Sequence, residues 1–252
     1  MVAKDARFRP WLIAPGGPLE FPDPRRADGE AGLVAIGGDL SVARMLHAYS
    51  RGVFPWYDSD TPILWWSPQP RAVLRPCDLH VSRSLARRLR RGQFEISVDR
   101  AFGEVLSGCA DRAGGTWILP EMARAYLALR AAGHAHSFEV WTDGRLVGGL
   151  YGVRLGGLFA AESMFHRQTD ASKVALVAAV RSLSRIGVNL MDVQFLTPHL
   201  ASMGARCMSR EAYLDQLAQI VKVRIKIDQL QVWLRPETEP HRLRGRFGSS
   251  DF

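Results

Sequence analysis

Three polar residues in apolar surroundings are the strongest candidates for chemistry. Glu162 lies within the mainly apolar run 158–165, where strict alternation places Leu158, Glu162 and Met164 on one face of a strand. A carboxylate there needs either a partner, as a structural acid would have, or a cavity. Asp192 and Gln194 share one face of a predicted strand over 189–195, and open α/β sheets carry their sites at such strand ends.

Large aromatic residues and arginines form a second candidate group. Trp56, Tyr57, Trp65 and Trp66 lie close together, and Trp117 follows Gly114 and Gly115 in a predicted loop. Such rings either stack on nucleobases or form an aromatic core. The amphipathic helix predicted over 81–91 carries arginines that either follow a phosphate backbone or form an ordinary solvated face. These arginines are Arg83, Arg87, Arg88, Arg90 and Arg91.

The composition limits the function classes. The chain has 252 residues, 47% of them hydrophobic and 23% charged, which excludes wholesale disorder. Its net charge of +8 attracts polyanions, although an arginine-rich genome would explain the charge equally well. The three cysteines are far apart and form no CxxC motif, which disfavours a disulfide framework and a metal site and favours the cytoplasm.

Motifs for nucleotide cofactors and for membranes are absent from the sequence. There is no GxxxxGK[ST] loop, and the glycines of 148–152 lie within a predicted strand meander and not at a strand-to-helix turn. No run approaches the roughly 18–20 apolar residues of a membrane span, and 11–14 is too short for a signal-peptide core. We therefore expect neither a cofactor nor a membrane.

The helices and strands that the sequence pattern indicates, and that must position these residues, are those of an α/β (α+β) protein. Residues 1–62 form a small, irregular unit rich in proline and aromatic residues, with one helix over 41–50. Residues 63–222 form a mixed-sheet domain, with Asp99 as the cap of a helix that ends near 109. From 120 onward, a helix, a three-strand meander, a buried helix and the strand over 189–195 match an N-acetyltransferase-like core. Residues 223–252 form a basic tail, with an edge strand over 223–227 and disorder from 236.

Ten separated stretches carry a family resemblance. Over about residues 18–220 the chain resembles the leucyl/phenylalanyl-tRNA–protein transferases. The matching stretches are 32–40, 51–56, 62–68, 116–118, 133–137, 147–153, 162–165, 170–173, 192–194 and 199–205.

The resemblance implies a reaction and the residues that carry it. Such enzymes move Leu, Phe or Met from aminoacyl-tRNA to the α-amine of proteins that begin with Arg or Lys, which marks those proteins for degradation. It implies a monomer without a cofactor, with Asp192, Gln194 and Glu162 as the catalytic residues and the five arginines holding the acceptor stem. Trp56 and Trp117 would hold the terminal adenosine. The apolar pocket would consist of Leu150, Phe159, Ala179 and Met191, with extra room at Ala179, where relatives carry a bulky aromatic residue.

Two other functions remain open at this point. The first is a CoA-dependent N-acyltransferase on the same core, which residues 166–171 disfavour because they lack a glycine-rich pyrophosphate loop. The second is a non-catalytic RNA-binding module. That function predicts that Asp192→Ala and Gln194→Ala leave every activity intact.

Overall fold

A small four-stranded sheet forms the first part of the chain. A computed structural model describes residues 8–232. The sheet has the order β1-β2-β4-β3, with β1 parallel to β2 and the other pairs antiparallel. Helix α1 (Val42–Ser50) follows Ser41, whose hydroxyl accepts a hydrogen bond from the Arg44 backbone N–H and so caps the helix. The strands are β1 (Trp11–Ile13), β2 (Leu33–Gly37), β3 (Phe54–Pro55) and β4 (Leu64–Trp66).

A seven-stranded mixed sheet forms the second part. Its order is β11-β5-β10-β9-β8-β7-β6, and β10 runs parallel to β9. The strands are β5 (Arg71–Leu74), β6 (Glu95–Val98), β7 (Ala135–Thr142), β8 (Arg145–Leu155), β9 (Leu158–His166), β10 (Leu190–Gln194) and β11 (Arg206–Met208). The helices are α2 (Arg83–Arg90), α3 (Phe102–Ala110), α4 (Pro120–Ala131), α5 (Ala171–Arg185), α6 (Pro198–Ser202) and α7 (Arg210–Ile220). The predicted mixed α/β class is confirmed.

Helices cover both faces of the large sheet. Helix α5, buried nearly all round, packs with Leu150 and Phe159 in one hydrophobic cluster. The other main cluster joins α3 and α4 to the small sheet, since Leu106 and Tyr126 share it with Met45 and Trp65. The small unit therefore completes the core on one face of the large sheet.

The connection between the two sheets is held by Arg210 of α7. Its guanidinium donates to the carbonyl oxygens of Ser67 at 2.8 Å and Ala27 at 2.5 Å, and its backbone N–H donates to the side-chain oxygen of Gln69. Strand β4 pairs within the small sheet and β5 within the large one. We propose that the boundary between the two units lies in 67–70, a few residues beyond the expected position.

Two local predictions are wrong. Asp99 does not cap α3, which begins at Phe102. Its carboxylate instead accepts a hydrogen bond from the Ser137 backbone N–H at 2.9 Å and contacts His136 Nδ1 at 2.7 Å, because strand β7 lies within its reach. Residues 223–227 form no strand, since they find no ladder partner, and a 3₁₀ turn follows at Ile227–Gln229. The segment predicted to be disordered, from 236 on, lies outside the described residues. No helix between residues 8 and 232 has the length and apolar character that a membrane crossing requires.

Candidate active site

A cavity of about 420 Å³ opens where the two parallel strands of the large sheet separate. The pairing of β9 with β10 ends at Ala160 and Asp192, and the next residues of both strands line the cavity. The small unit supplies the opposite wall. The lining residues are Phe54, Pro55, Trp56, Arg112, Trp117, Leu150, Ala161, Glu162, Ser163, Met164, Leu176, Val193, Gln194, Phe195, Thr197 and Leu200.

Glu162 reaches the cavity through a β-bulge. Tyr151 pairs with Ser163 and Gly152 with Ala161, so Glu162 is the extra residue on its strand. A bulge re-aims the side chain it carries. The alternation predicted for this strand is therefore interrupted at Glu162.

The two oxygens of the Glu162 carboxylate have different surroundings. Oε2 accepts a 2.7 Å hydrogen bond from the Tyr126 hydroxyl, which lies 3.3 Å from the Tyr49 hydroxyl. Oε1 is buried and has no hydrogen-bond partner among residues 8–232. Burial raises the pKa of Glu162 to about 7. The group therefore changes charge near neutral pH and has one oxygen free to bind a ligand.

Gln194 also lines the cavity, in a backbone conformation that is rare for a residue other than glycine. Its φ is +56°, and the pairing of β10 with β5 skips a residue between Asp192 and Gln194. The Gln194 backbone N–H donates to Asp192 Oδ1 at 3.0 Å. With the amide orientation that its surroundings favour, the side-chain nitrogen donates to the carbonyl oxygens of Ala161 and Val193, both at 3.2 Å. The amide therefore bridges the two separating strands.

Asp192 lies behind the cavity and does not line it. Arg71 Nε donates to Oδ1 at 2.8 Å, Arg71 Nη2 donates to Oδ2 at 2.6 Å, and the Tyr213 hydroxyl donates to Oδ2 at 2.8 Å. The Arg71 guanidinium also lies over the rings of Phe54 and Tyr213 and donates to the Gly52 carbonyl oxygen. Arg71, which sequence reasoning missed, therefore fixes Asp192, and Asp192 fixes the backbone of Gln194.

Trp56 and Trp117 both line the cavity, as expected for rings that hold a ligand. Trp56 is 46% exposed and packs near Trp66 and Phe195, while Trp117 meets the ring of Tyr126 edge-on. Trp65, in contrast, is fully buried. The aromatic cluster thus contributes to both the core and the cavity wall.

The apolar wall of the cavity differs from the predicted set. Leu150 lines it, whereas Phe159, Ala179 and Met191 are buried in the hydrophobic cluster behind it and do not line it. The wall is completed by Met164, Leu176, Val193 and Leu200. Met164 lies two residues after Glu162, and Val193 lies one residue before Gln194. Proximity in sequence could therefore have indicated both.

Arg112 and Ser163 are polar lining residues that sequence reasoning missed. Arg112 Nη2 donates to the Ser163 hydroxyl at 2.8 Å, and Arg112 Nε donates to the Cys109 carbonyl oxygen at 3.1 Å.

Burial raises the pKa of the Cys109 thiol to about 12, so that thiol stays protonated, while Cys77 and Cys207 are exposed free thiols. Across residues 8–232, no three His, Cys, Asp or Glu side chains cluster as a metal ion would require.

The arginines of α2 separate into two groups. Arg83, Arg87, Arg90 and Arg91 are exposed. Arg88 is partly buried, and its Nε lies 3.2 Å from Asp170 Oδ2, directly before α5. This ion pair joins the arginine-bearing helix α2 to the start of α5.

The fold and the cavity together define a class of protein. The cavity is largely apolar, with a size and character that suit a carbon chain, and a carboxylate and an amide line it. At the end of a parallel strand pair in a mixed α/β sheet, these features are those of an acyl-transferring enzyme.

Comparison with known proteins narrows this class. The family model for leucyl/phenylalanyl-tRNA protein transferase matches residues 73–218, and the model for the N-terminal domain of that family matches residues 38–69. The chain belongs to this family of aminoacyltransferases. It is 53% identical to the leucyl/phenylalanyl-tRNA–protein transferase of Oleidesulfovibrio alaskensis, over 88% of this chain and 92% of that one. It is 54% identical to the corresponding protein of Chromobacterium violaceum, over 84% and 92%.

Solved structures show a more distant likeness. A GCN5-related N-acetyltransferase from Kribbella flavida matches with a TM-score of 0.37 and 12% identity, over 65% of this chain and 59% of that chain. The L-PGS from Bacillus licheniformis matches with a TM-score of 0.37 and 12% identity, over 67% and 57%.

Proposed function

We propose that this chain transfers Leu, Phe or Met from aminoacyl-tRNA to the α-amine of proteins that begin with Arg or Lys, which marks those proteins for N-degron degradation. The observation that carries the proposal is the unpaired carboxylate oxygen of Glu162 in a largely apolar cavity. The apolar wall suits a Leu, Phe or Met side chain, and the carboxylate suits a cationic group of the acceptor.

The reaction needs no external energy source. The α-amine, with a reference pKa of about 7.7–8.0, attacks the aminoacyl ester carbonyl. A C–N bond forms, the C–O bond to the ribose breaks, and the proton lost by the amine goes to the departing ribose oxygen. Because the ester is already activated, no nucleotide or acyl-CoA cofactor takes part.

We assign the polar groups by their access to the cavity. Gln194 orients the attacking amine through its amide oxygen. Glu162, in its ionised form, binds the cationic group of the acceptor, and the proton lost by the amine passes to the ribose oxygen. Asp192, whose oxygens are already engaged by Arg71, Tyr213 and the Gln194 N–H, is a positioning residue for Gln194.

We assign the remaining predicted residues to the aminoacyl-tRNA. Trp56 and Trp117 hold the terminal adenosine between them. Leu150 contacts the aminoacyl side chain, and Phe159, Ala179 and Met191 shape the pocket from the second layer behind it. The exposed arginines of α2 follow the phosphates of the acceptor stem without reading its sequence.

We infer that the protein is a monomer and that it acts in the cytoplasm. The three free cysteines among the described residues fit a reducing compartment. Sedimentation should give a mass near the 28.0 kDa of a single chain.

A transfer assay tests the proposal. The protein is mixed with radiolabelled Phe-tRNA or Leu-tRNA and a peptide that begins with Arg, in the absence of ATP and CoA. A peptide that begins with Ala is the control. Label on the Arg peptide alone is the expected result. A folded protein that binds the tRNA but labels neither peptide would instead indicate the RNA-binding module.

A further inference from the structure

A second cavity, of about 430 Å³, lies beside the one already described. It is lined by Met164, His166, Ser172, Lys173 and His199, together with residues of the turn before α5. Met164 lines both cavities. The two cavities are therefore neighbours along the end of β9.

Lys173 in the second cavity and Arg88 beside it outnumber the carboxylate with which both pair. That carboxylate, Asp170, is engaged on both oxygens, with Lys173 Nζ at 3.1 Å from Oδ1 and Arg88 Nε at 3.2 Å from Oδ2. Two cations thus share one anion, and two histidines stand next to them. The excess of positive charge suits a monoanionic ligand.

His199 adds an unused hydrogen-bonding group. Its Nε2 is buried and has no partner within the described part of the chain. Burial lowers the pKa of His199, and the positive charge of Lys173 lowers it further. Among residues 8–232, its Nε2 lacks a hydrogen-bond partner at the wall of the cavity.

The position of the second cavity indicates where its ligand comes from. Arg88, which pairs with Asp170, belongs to the arginine-bearing helix α2, and Arg88 Nη1 also approaches the Thr169 carbonyl oxygen at 3.5 Å. The second cavity therefore lies between α2 and the aminoacyl cavity, where a polyanion bound to both would reach it.

We propose that the second cavity binds a backbone phosphate of the single-stranded 3′ end of tRNA, between the acceptor stem and the terminal adenosine. This proposal rests on the proposed function for the identity of the polyanion. Lys173 supplies the charge, and Ser172 and His199 supply hydrogen bonds to the phosphate oxygens. Arg88 and Asp170 hold Lys173 in place.

Binding of short RNA pieces tests this site without relying on transfer. The dissociation constants of the trinucleotide CCA, which has two internucleotide phosphates, and of adenosine, which has none, are measured by titration at low salt. The readout is their ratio, because it cancels any general damage to the fold. The variants are Lys173→Gln and His199→Phe, with Lys173→Arg as the charge-keeping variant.

Lys222→Gln is the matched control. Lys222 is an exposed lysine just after α7, where Ile220 and Val221 contact the β8–β9 turn. This turn lies at the start of β9, about 25 Å from the His166 end at the ordinary rise of a strand. The control therefore removes the same charge from the opposite end of that strand.

The wild-type protein and the Lys222→Gln variant should bind CCA more tightly than adenosine. Lys173→Gln and His199→Phe should reduce this advantage about tenfold, the value of a charge-assisted hydrogen bond, and Lys173→Arg should restore most of it. The salt dependence of CCA binding should fall by about 0.7 in slope for Lys173→Gln. An unchanged ratio in both cavity variants, or equal binding of CCA and adenosine by the wild type, would overturn the proposal. Normal CCA binding with no transfer would contradict the proposed function alone.

Discussion

The carboxylate of Glu162 changes charge in the range in which the chain would work. Burial raises its pKa to about 7, so its ionised fraction rises between pH 6 and 8. If the anion binds the acceptor, kcat/KM for transfer to an Arg peptide should rise through pH 7. Glu162→Gln should lower kcat/KM about 100-fold, the scale of a lost buried charge contact, and leave only the rise near pH 8 that the attacking amine itself gives. The exposed Glu104→Gln is the control, and a Glu162→Gln enzyme that keeps the wild-type pH profile would contradict the assignment.

The same carboxylate links stability to pH. The folded chain binds a proton at Glu162 up to pH 7, whereas an unfolded chain releases it near pH 4.3, so folding stability should fall as pH rises from about 4 to 7. Glu162→Gln removes the charge but keeps the size. We expect the variant to gain about 1–3 kcal/mol over the wild type at pH 8 and much less at pH 5 in urea unfolding. An equal difference at both pH values would refute the assigned pKa.

Asp192 and Arg71 form a buried ion pair, and removing either partner should destabilise the protein. Both side chains are 1% exposed. Asp192→Asn leaves the guanidinium without a counter-charge and should lower the free energy of unfolding by about 3–5 kcal/mol. The exposed Arg25–Asp215 pair provides the control, since Asp215→Asn should cost less than about 1 kcal/mol. Similar losses in the two variants would show that burial is not the cause.

Sequence alone singled out Glu162 and Gln194, two polar residues that line the cavity, but not how they are held. Glu162 stood out because a carboxylate among apolar neighbours needs a cavity. Arg71 did not, because 121 positions separate it from Asp192 and nothing in the run 71–74 indicates a buried ion pair. Pairings at that distance follow from the strand order, which local patterns do not specify. The lining residue Leu176 was missed for the same reason.

At the scale of elements, the bulge that carries Glu162 depends on the glycine opposite it. A Cβ on Gly152 would lie 2.2 Å from the Ala160 carbonyl oxygen and 2.6 Å from the Phe159 ring. Gly152→Ala should therefore destabilise the protein by about 1–3 kcal/mol and impair transfer. In α3, a Cβ on Gly103 meets nothing within 4 Å, so Gly103→Ala should gain up to about 1 kcal/mol. Thermal unfolding of both variants checks the contrast, and a stable, fully active Gly152→Ala protein would contradict it.

Helix α2 should act through charge. Arg87 is exposed and has no ion pair among residues 8–232, so Arg87→Ala should weaken tRNA binding and reduce the salt slope by about one. Filter binding at several salt concentrations measures this slope. Lys222→Gln serves as the control here also. A loss of affinity with an unchanged slope would indicate that Arg87 acts through structure.

The helix positions were predicted better than most of the short strands. Helix α1 begins one residue after its predicted start and ends at its predicted end, and α4 begins at the predicted residue 120, because a capping serine and a proline mark these two starts. Strands β1 to β5 and β11 have two to five residues, too few for an alternating pattern to show. They form because partners distant in sequence supply the hydrogen bonds. The alternating run 223–227 had the pattern of a strand but no partner.

At the scale of the whole molecule, the two sheets share one core and one buried ion-pair network. Trp65 and Met45 of the small unit pack with Leu106 and Tyr126 of the large one. A chain limited to residues 67–232 would expose that cluster and remove Gly52 from Arg71. We expect it to show no cooperative unfolding transition by circular dichroism, in contrast to the full chain. A sharp transition in the shortened chain would show that the large sheet folds alone.

The three cysteines divide into one inert thiol and two accessible ones, and this division has a practical consequence. Maleimide dyes will label Cys77 and Cys207 and leave Cys109, beside the Arg112 wall, untouched. Cys77 lies shortly before the arginine-bearing helix, and Cys207 lies on an edge strand of the large sheet. With Cys207 replaced by serine, a fluorophore at Cys77 would report RNA arrival beside that helix. The natural sequence thus carries its own attachment point for following tRNA association in real time.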